Sequence, residues 1–512
     1  MSSSKPVGTM WSQFFQLSGS PNLSLQGQIR QMLVTAILDG QLPLDAPIPS
    51  SRELASQIGV ARNTVVIAYQ QLADEGYLIS RERKGHFVNP EMLEGRASTA
   101  EAPPVAAPSR APDWTSRYRF RPSAQRNICK RPDWQRYPYP FLYGQFDSTL
   151  FPTADWRECC MKTLGVLEIS EWAQDMIVRD DESLVRQIRT RVLPRRGVWA
   201  SDDEIVITVG AQQALYLLAD LLVSNATTVG IENPGYPDAR NIFSSRGAHM
   251  VYLPVDEQGL QIGPDLTGCD YVYVTPSHQC PTTVTMPIER REALLRQAKD
   301  EDFVIIEDDY ESENRFEGEP VPTLKSLDRN DRVIYVGSLS KSIAPGIRLG
   351  YVVGPVELIR ELRGVRRLNL RHPSTYMQRA FALFLSLGHH DSLLRRLSSA
   401  HLERARILCA ALDRHAPELR YIPVTGGSSC WIEGPAWLDA GQLAEEAERQ
   451  GILIETGSVF FVADTPPRNH FRLGFSSIAT ERIEPGSRSM RPLTWATAGA
   501  APCASVQSTN CC

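Results

Sequence analysis

Apolar and polar positions alternate in two different ways along the 512 residues of the chain. In the first ninety residues, apolar positions recur at the spacing of short amphipathic helices. From about 140 to 490, short β-branched runs alternate with amphipathic helical stretches. The runs predict strands at Ile205–Val209, Val229–Ile231, Tyr271–Val274, Val304–Ile306, Val333–Val336 and Tyr351–Val353. This alternation predicts an α/β fold, with a mostly parallel sheet covered by helices on both faces.

The N-terminal pattern predicts three helices. The first spans Leu25 to Leu38, and the second follows Pro49-Ser50-Ser51, where a serine serves as the N-cap. Gly59 ends the second helix, and Val60–Val65 opens the third. The core positions predicted for the third helix are Val65, Val66, Tyr69 and Leu72, and its outward positions are Arg62, Asn63 and Thr64. A short turn between two helices, with polar residues at the start of the second, is the helix-turn-helix arrangement that enters a major groove.

Two short apolar runs, Gly76–Ile79 and His86–Val88, predict a hairpin after these helices. The connection, Arg81-Glu82-Arg83-Lys84-Gly85, is basic and suited to lie along phosphates as a wing. Spacing alone also allows a three-helix module that binds another protein.

Composition changes mark the predicted domain boundaries. A stretch rich in Ala, Pro, Ser and Glu separates the N-terminal region from the rest and predicts a semi-extended linker. The last twenty or so residues have no periodicity and predict a loosely ordered tail. The predicted units are a head at 20–90, a linker at 91–120, a body at 121–490 and a tail at 491–512.

Bulk composition narrows the classes of protein. Hydrophobic residues make up 42% and charged residues 22%, which is typical of a globular chain. The net charge of -5 excludes nucleic-acid binding over the whole surface, so any DNA contact is expected to be local. Ten scattered cysteines without a C-x-x-C pair indicate neither a zinc ribbon nor a secreted disulfide framework. We expect a cytoplasmic protein with no export signal and no membrane span.

Candidate chemistry centres on Lys341. Ser338 and Ser340 flank it and Arg348 follows seven residues later, which gives hydroxyls and a guanidinium suited to one phosphate group. Upstream, the strand Ile205–Val209 runs into Gly210-Ala211-Gln212 and a helix, whose free N–H groups would face the same phosphate. The lysine is therefore expected beside an anion site.

A second candidate feature is the apolar strand that ends in Glu307-Asp308-Asp309-Tyr310. A carboxylate beneath a pyridine nitrogen would keep that nitrogen protonated and make the ring an electron sink. Taken without the lysine segment, the same residues also fit a solvated acidic loop or a metal site. With it, we predict no metal.

The head resembles the GntR family of bacterial repressors. The segments that carry the resemblance are Pro49-Ser50-Ser51-Arg52-Glu53-Leu54-Ala55, Arg62-Asn63-Thr64-Val65 and Glu75-Gly76-Tyr77. The resemblance implies that operator DNA is contacted by Arg52, Arg62, Asn63, Thr64, Lys84 and Gly85. Arg62 would contact a base edge or a phosphate, and Lys84 would position the wing by charge.

The body is similar to the fold-type I enzymes that use pyridoxal 5'-phosphate (PLP), the aspartate aminotransferase superfamily, over residues 140 to 485. This similarity implies that Lys341 forms the Schiff base, Asp308 contacts the pyridine nitrogen and Tyr310 donates to the phenolic oxygen. Tyr236 would stack on the ring. Arg472, in Phe471-Arg472-Leu473-Gly474-Phe475, would bind the carboxylate or sulfonate of an amino compound, unless it forms only an ordinary ion pair.

Head and body together resemble the MocR family of transcriptional regulators. The resemblance implies a homodimeric regulator that senses a small amino compound by forming an external aldimine and controls a catabolic operon. Taurine and an ectoine-derived diamino acid are the favoured effectors. Two segments depart from the family pattern, Pro281-Thr282-Thr283 and Arg179-Asp180-Asp181-Glu182, so we expect the pocket wall and the dimer contacts to differ from those of the family.

Two other interpretations remain open at this stage. The chain could be a working PLP-dependent aminotransferase with an accessory DNA-binding head, because sensor and enzyme share the first step with the amine. It could also be a repressor whose body serves only for dimerisation. The intact head favours the sensor over the enzyme.

Overall fold

A computed structural model describes residues 23–93, 112–311, 313, 316 and 321–496. The chain divides into two compact units, Met1–Arg117 and Tyr118–Cys512. The predicted linker at 91–120 lies outside the described residues from 94 to 111, and the predicted tail lies outside them from 497 onward.

The head contains three helices followed by a two-stranded hairpin. Its elements are α1 (Leu25–Leu38), α2 (Ser51–Ile58), α3 (Arg62–Asp74), β1 (Leu78–Arg81) and β2 (Gly85–Val88). Ser50 caps α2 as a capping box: its hydroxyl accepts from the backbone N–H of Glu53, and its own N–H donates to the Glu53 carboxylate. Gly59 ends α2 in the left-handed conformation, with φ of 71°.

The core of the head confirms three of the four predicted positions on α3. Val65, Tyr69 and Leu72 are buried, and the Tyr69 hydroxyl donates to the carbonyl of Pro49 at 2.7 Å. Val66 was predicted to face the core, and that prediction is wrong because its side chain is 40% exposed. Val65, Tyr69 and Leu72 share one helical stripe, and Val66 lies about 100° away from Val65 around the helix.

The hairpin pairs its strands antiparallel, with Leu78 opposite Val88 and Arg81 opposite Gly85. Both strands lie within one or two residues of the predicted positions. The connection between them is exposed, and Gly85 adopts φ of 97°, a conformation that favours glycine.

The body contains a central eight-stranded sheet and a smaller C-terminal sheet. Its strands are β3 (Tyr139–Pro140), β4 (Ile205–Thr208), β5 (Thr228–Asn233), β6 (His249–Asp256), β7 (Gly259–Leu260), β8 (Tyr271–Val274), β9 (Val304–Asp309), β10 (Val333–Ser338), β11 (Gly350–Val353), β12 (Arg420–Tyr421), β13 (Ser429–Glu433), β14 (Ile452–Leu453), β15 (Glu455–Thr456) and β16 (His470–Gly474). The order in the large sheet is β4-β11-β10-β9-β8-β5-β6-β7.

All six predicted strands lie in the central sheet, and the prediction of a mostly parallel sheet is confirmed. Strands β10, β9, β8, β5 and β6 run parallel, whereas β11 is antiparallel to both of its neighbours. Strand β6 was not predicted. Its apolar run at 250–253 is short and is followed by Pro254, a residue that is rare within strands, and most of its residues are only partly buried.

The helices of the body pack on both faces of this sheet and against the C-terminal sheet. They are α4 (Thr153–Thr163), α5 (Val166–Trp172), α6 (Glu182–Gln187), α7 (Gly210–Leu222), α8 (Pro237–Ser245), α9 (Ile288–Asp300), α10 (Leu324–Leu327), α11 (Ser340–Ile343), α12 (Val356–Leu370), α13 (Thr375–Ser386), α14 (His389–His415), α15 (Ala440–Arg449) and α16 (Thr480–Ala496). Alternate residues of β4 belong to different cores: Ile205 and Ile207 pack with α6 and α13, and Val206 packs with α7 and α12. Two separate layers therefore bury one strand from both sides.

The C-terminal sheet has the order β12-β13-β16-β15, and α14, α15 and α16 share its core. Helix α16 continues to Ala496, so the predicted start of the tail at Arg491 is wrong. Ile483 and Met490 of this helix are buried in that core, and this packing stabilises a segment whose sequence has little periodicity.

We expect Ser50→Ala to destabilise the head by about 1 kcal/mol, because the substitution removes the hydroxyl that caps α2. Hydrogen exchange of the α2 amides in the full chain measures the loss. The matched control is Ser56→Ala, at an exposed position inside the same helix. Equal exchange rates in the two variants would contradict a stabilising role for the cap.

Candidate functional site

A cavity of about 280 Å³ opens at the carboxyl ends of the parallel strands of the central sheet. It is lined by every residue predicted to contact the cofactor and by the predicted effector residue. These residues are Gly210, Ala211, Gln212, Tyr236, Asp308, Tyr310, Ser338, Ser340, Lys341, Arg348 and Arg472. The structure therefore brings together residues that are up to 262 positions apart in the chain.

Lys341 lies in the first turn of α11, immediately after β10. Its Nζ is 3.3 Å from the hydroxyl of Tyr143 and 4.3 Å from the centre of the Tyr143 ring. Burial lowers the pKa of Lys341 to about 8; Glu311 opposes the shift, and the positive charges of Lys130 and Arg472 add to it. A substantial fraction of this amine is therefore neutral near pH 8 and available as a nucleophile.

Of the three acidic residues at the end of β9, Asp308 is the one that lines the cavity, because strand residues alternate between the two faces of the sheet. Its Oδ2 accepts a hydrogen bond of 2.8 Å from the hydroxyl of Tyr273. Its Oδ1 is buried and has no hydrogen-bond partner in the described part of the chain. Burial raises the pKa of Asp308 to about 7. An unpaired buried oxygen of this kind fits a ring nitrogen that carries a proton.

The neighbouring carboxylates of β9 lie on the opposite face of the sheet. Asp309 pairs with Arg196 at 2.8 Å, and Glu307 accepts from the backbone N–H groups of Leu324 and Lys325. All three acidic residues of this strand end are buried, so the interpretation as a solvated acidic loop is wrong. Within the described ranges, no group of three or more His, Cys, Asp or Glu residues is arranged to hold a metal ion.

The predicted phosphate end is formed by the start of α7 and by Arg348. Gly210 has φ of 76°, and a Cβ on it would lie 3.2 Å from Nη2 of Arg348. A Cβ on Gly350 would lie 2.7 Å from the carbonyl carbon of Gly210, so the two strand ends approach too closely for side chains. Arg348 donates to the carbonyl of Val209 at 3.0 Å and remains exposed.

The two serines that precede Lys341 differ in their surroundings. The Ser340 hydroxyl donates to the carbonyl of Leu349 and accepts from its N–H, at 3.0 and 2.8 Å. It thus joins the lysine segment to the following loop. Ser338 is half-buried at the end of β10 and lines the cavity.

Two tyrosines hold positions around the predicted ring site. The Tyr236 hydroxyl donates to Gln212 or Asp238, at 2.7 and 3.0 Å, which orients this aromatic side chain at the start of α8. The Tyr310 hydroxyl donates to the carbonyl of His278 at 2.9 Å. Contact of Tyr310 with a phenolic oxygen stays a prediction.

Arg472 lies on β16, at the other end of the cavity, and is 2% exposed. Its Nε donates to Glu455 at 2.8 Å, and its guanidinium lies 4.1 Å from the centre of the Tyr143 ring and 4.8 Å from that of Phe460. Its Nη2 is buried without a hydrogen-bond partner among the described residues. The guanidinium therefore keeps a donor for a ligand, in addition to its ion pair.

Six further residues line the cavity and were not predicted from the sequence: Ile128, Lys130, Tyr143, Asp238, Cys280 and Pro345. Lys130 and Tyr143 precede the alternating strands and helices, where the chain forms only short turns and the two-residue strand β3. Their one sequence signal is the presence of a lysine and several aromatic residues just after the linker, and that signal is weak.

The predicted DNA contacts lie on the head. Arg52 is exposed on α2, and Arg62 and Asn63 are exposed in the first turn of α3. Thr64 is partly exposed, and Lys84 and Gly85 are exposed in the connection of the hairpin. The head thus presents a helix start and a basic turn to solvent, as a winged helix-turn-helix requires.

Two families match this chain. Residues 187–487 match the aminotransferase class I and II family, and residues 25–88 match the bacterial regulatory proteins of the gntR family. Among the described residues, no helix is long and apolar enough to cross a membrane.

Curated relatives match both parts at once. The chain is 40% identical over 473 residues to the HTH-type transcriptional regulator TauR of Rhodobacter capsulatus. The matched region covers 92% of this chain and 97% of the relative. It is 30% identical over 480 residues to the probable rhizopine catabolism regulatory protein MocR of Rhizobium meliloti, with coverage of 93% and 94%.

Solved structures match the body. A kynurenine aminotransferase of Pyrococcus horikoshii superimposes with a TM-score of 0.66 at 25% identity, covering 72% of this chain and 93% of that structure. The α-aminoadipate aminotransferase LysN of Thermus thermophilus gives 0.65 at 27% identity, with coverage of 75% and 98%.

Fold and cavity together define a PLP-binding, aminotransferase-like body joined to a winged helix-turn-helix head. The chain belongs to the aminotransferase class I and II family and, over nearly its whole length, to the MocR-type transcriptional regulators with a GntR head. Its cofactor is pyridoxal 5'-phosphate. The buried Oδ1 of Asp308, the amine of Lys341 and the glycine at the start of α7 fit this group.

We expect acetylation of Lys341 by acetic anhydride, in the PLP-free full chain, to reach half its maximal rate near pH 8. Lys130→Met should move this midpoint to higher pH because it removes a neighbouring positive charge, and Glu311→Gln should move it to lower pH. Mass spectrometry of the Lys341 peptide measures both shifts. A midpoint near the ordinary lysine value of about 10.4 would contradict the buried environment.

Proposed function

We propose that this regulator senses a small amino compound with an anionic end, and that it controls a catabolic operon through operator DNA. Taurine and an ectoine-derived diamino acid are the effectors that we favour. The observation that carries the proposal is the cavity, in which the amine of Lys341 and the buried Nη2 of Arg472 flank the ring of Tyr143.

The chemistry of recognition is reversible condensation. Bound PLP supplies an aldehyde that condenses with amino groups and a ring that withdraws electrons. Lys341 would hold the aldehyde through its amino group, and the amine of an effector would compete for the same position. Asp308 would hold a proton on the ring nitrogen through its Oδ1, and Tyr273 orients the carboxylate through its Oδ2.

Arg472 selects for the acidic end of the effector. Its guanidinium is held by Glu455 and by two aromatic rings, so its orientation is set before a ligand arrives. Nη2 then donates to a carboxylate or sulfonate in a site with little access to water. A compound with an amine at one end and an anion at the other would engage Lys341 and Arg472 together.

Sensing requires that the effector bind two conformations with different affinity, because a ligand with equal affinity for both shifts nothing. We propose a homodimer that holds two heads, as the commonest symmetry of soluble oligomers favours. Two heads would bind two half-sites separated by one or more helical turns of DNA. An amine that closes the body would then change the spacing that the heads can reach.

A second candidate function is a working aminotransferase with an accessory head. The observation in its favour is that the cavity keeps Lys341, Asp308 and Arg472 together, and the chain is 29% identical over 294 residues to the aromatic-amino-acid aminotransferase 1 of Thermococcus litoralis. Two observations favour sensing. The chain is similar to regulators over nearly its whole length, and the head is intact, with an N-capped helix α2.

We expect the full chain with PLP to bind DNA from upstream of its own gene cluster, and taurine or a diamino acid to change that binding. Arg472→Lys keeps the charge but loses the planar fork, so it should lower effector sensitivity about tenfold or more while DNA binding without effector persists. A gel shift measures both. Arg468→Met, at a side chain that is 72% exposed, is the matched control.

The same experiment separates the alternatives. No DNA binding at moderate salt, together with steady turnover of an amino donor and a keto acid, would overturn the regulator proposal. An absorbance band near the visible edge that Lys341→Ala fails to remove would favour a repressor whose body serves only for dimerisation.

We expect Arg62→Ala to weaken binding to the operator by about 1–3 kcal/mol if the guanidinium contacts a base edge, with relaxed preference at that base pair. Lys84→Ala should weaken binding to all sequences alike and reduce the salt slope by about one unit. The control is Arg30→Gln, since Glu75 pairs with Arg30 at 2.6 Å. Fluorescence anisotropy over a range of salt concentrations distinguishes the three outcomes.

A further inference from the structure

Lys130 is a second cation beside Arg472 in the cavity. It lies between the linker and β3, in a segment without regular structure, and lines the cavity with Arg472. Its Nζ donates to the carbonyl of Tyr143 and lies 3.5 Å from Oε1 of Glu455. The other oxygen of the same carboxylate accepts from Arg472 at 2.8 Å. One buried carboxylate therefore contacts two cations.

The charge of this cluster is unbalanced. Lys130, whose side chain is 26% exposed, and the buried Arg472 carry two positive charges, and Glu455 is a carboxylate that contacts both of them. Asp238 also lines the cavity and attracts Lys130, but less strongly than Glu455 does. Because the two cations share one contacting carboxylate, an arriving monoanion would gain from both. The buried Nη2 of Arg472, unpartnered across the described ranges, shows that a donor is still available there.

Donor geometry distinguishes the two cations. An ammonium group has three N–H donors, and Lys130 directs two of them at Tyr143 and Glu455. The third remains for a ligand in the cavity that Lys130 lines. Arg472 offers a planar fork and Lys130 a point charge from a different segment of the chain. A planar carboxylate has two oxygens for these donors, whereas a tetrahedral sulfonate has three, which point in different directions.

We propose that Lys130 and Arg472 bind one anionic group together, and that Lys130 makes the site prefer a sulfonate over a carboxylate. The inference deepens the proposed function, on which it rests for the amine half of the effector. It names the class of effector as a short aminoalkanesulfonate. Lys130 determines specificity, and Arg472 provides the general anion contact.

Isethionate, the hydroxyl analogue of taurine, tests the anion site without the amine. It cannot condense with PLP, so its binding to the full chain with PLP reports Lys130 and Arg472 alone. Ligand-observed NMR should detect it, with 3-hydroxypropionate as the carboxylate of matched length. We expect Lys130→Met to weaken isethionate binding roughly tenfold or more and 3-hydroxypropionate binding much less.

Controls and opposite outcomes complete the test. Lys130→Arg should retain most of the affinity, and Lys299→Met, at an exposed position on α9, should change nothing. An unchanged far-ultraviolet circular dichroism spectrum shows that each variant is folded. Equal losses for both anions would overturn the preference for sulfonate, and no loss, or no binding of isethionate by the unmodified chain, would overturn the role of Lys130.

The amine arm separates this inference from the proposed function. Taurine and β-alanine have the same chain length and differ in the anion. Isethionate binding that depends on Lys130, without any effect of taurine on PLP absorbance or DNA binding, would leave the anion site standing and refute amine sensing. A response to taurine that Lys130→Met does not alter would leave amine sensing standing and refute the role of Lys130.

Discussion

The alternation of side chains along β9 is the constraint on which the rest of the site depends. Asp308 points into the cavity, whereas Glu307 and Asp309 point to the other face of the sheet. There Arg196 pairs with Asp309, and two backbone N–H groups donate to Glu307. Strand β10 pairs with β9 in parallel, with Val336 opposite Asp308, so the lysine segment that follows β10 ends at the same edge of the sheet. A one-residue slip of β9 would turn Asp308 away from Lys341.

Much of this arrangement is predictable because it follows the ends of apolar strands. The runs around Ile305 and Val336 are continuous, and the residues just after parallel strands meet at one edge of the sheet. Lys130 and Tyr143 have no comparable signal, since tertiary packing alone carries their irregular segment to the cavity. The two-residue strands of the C-terminal sheet are likewise too short for a period to be detected.

Local backbone chemistry explains why the ends of helix α2 in the head were predicted correctly. Helical geometry explains why the burial of Val66 was not. Ser50 and Gly59 bound α2 through capping and a left-handed turn, which are properties of single residue types. Val66 is apolar, yet it is exposed because the three-helix core is narrow and accepts a single stripe of α3. Apolar character identifies candidates for a core, and only the helical angle decides among them.

Tyr143 connects the two halves of the proposed effector site. Its ring lies 4.3 Å from the amine of Lys341 and 4.1 Å from the guanidinium of Arg472, so the group proposed to exchange amines and the group proposed to bind anions share one wall. The pKa of Lys341 also depends on nearby charges. Burial lowers it most, and the positive charges of Lys130 and Arg472 lower it further. An anion that neutralises Lys130 and Arg472 would remove part of this effect and favour the protonated form of Lys341. In the proposed function, the binding of the acidic end and the release of the lysine amine would thus be electrostatically coupled, and this coupling would suit a detector that must respond only to compounds with both ends.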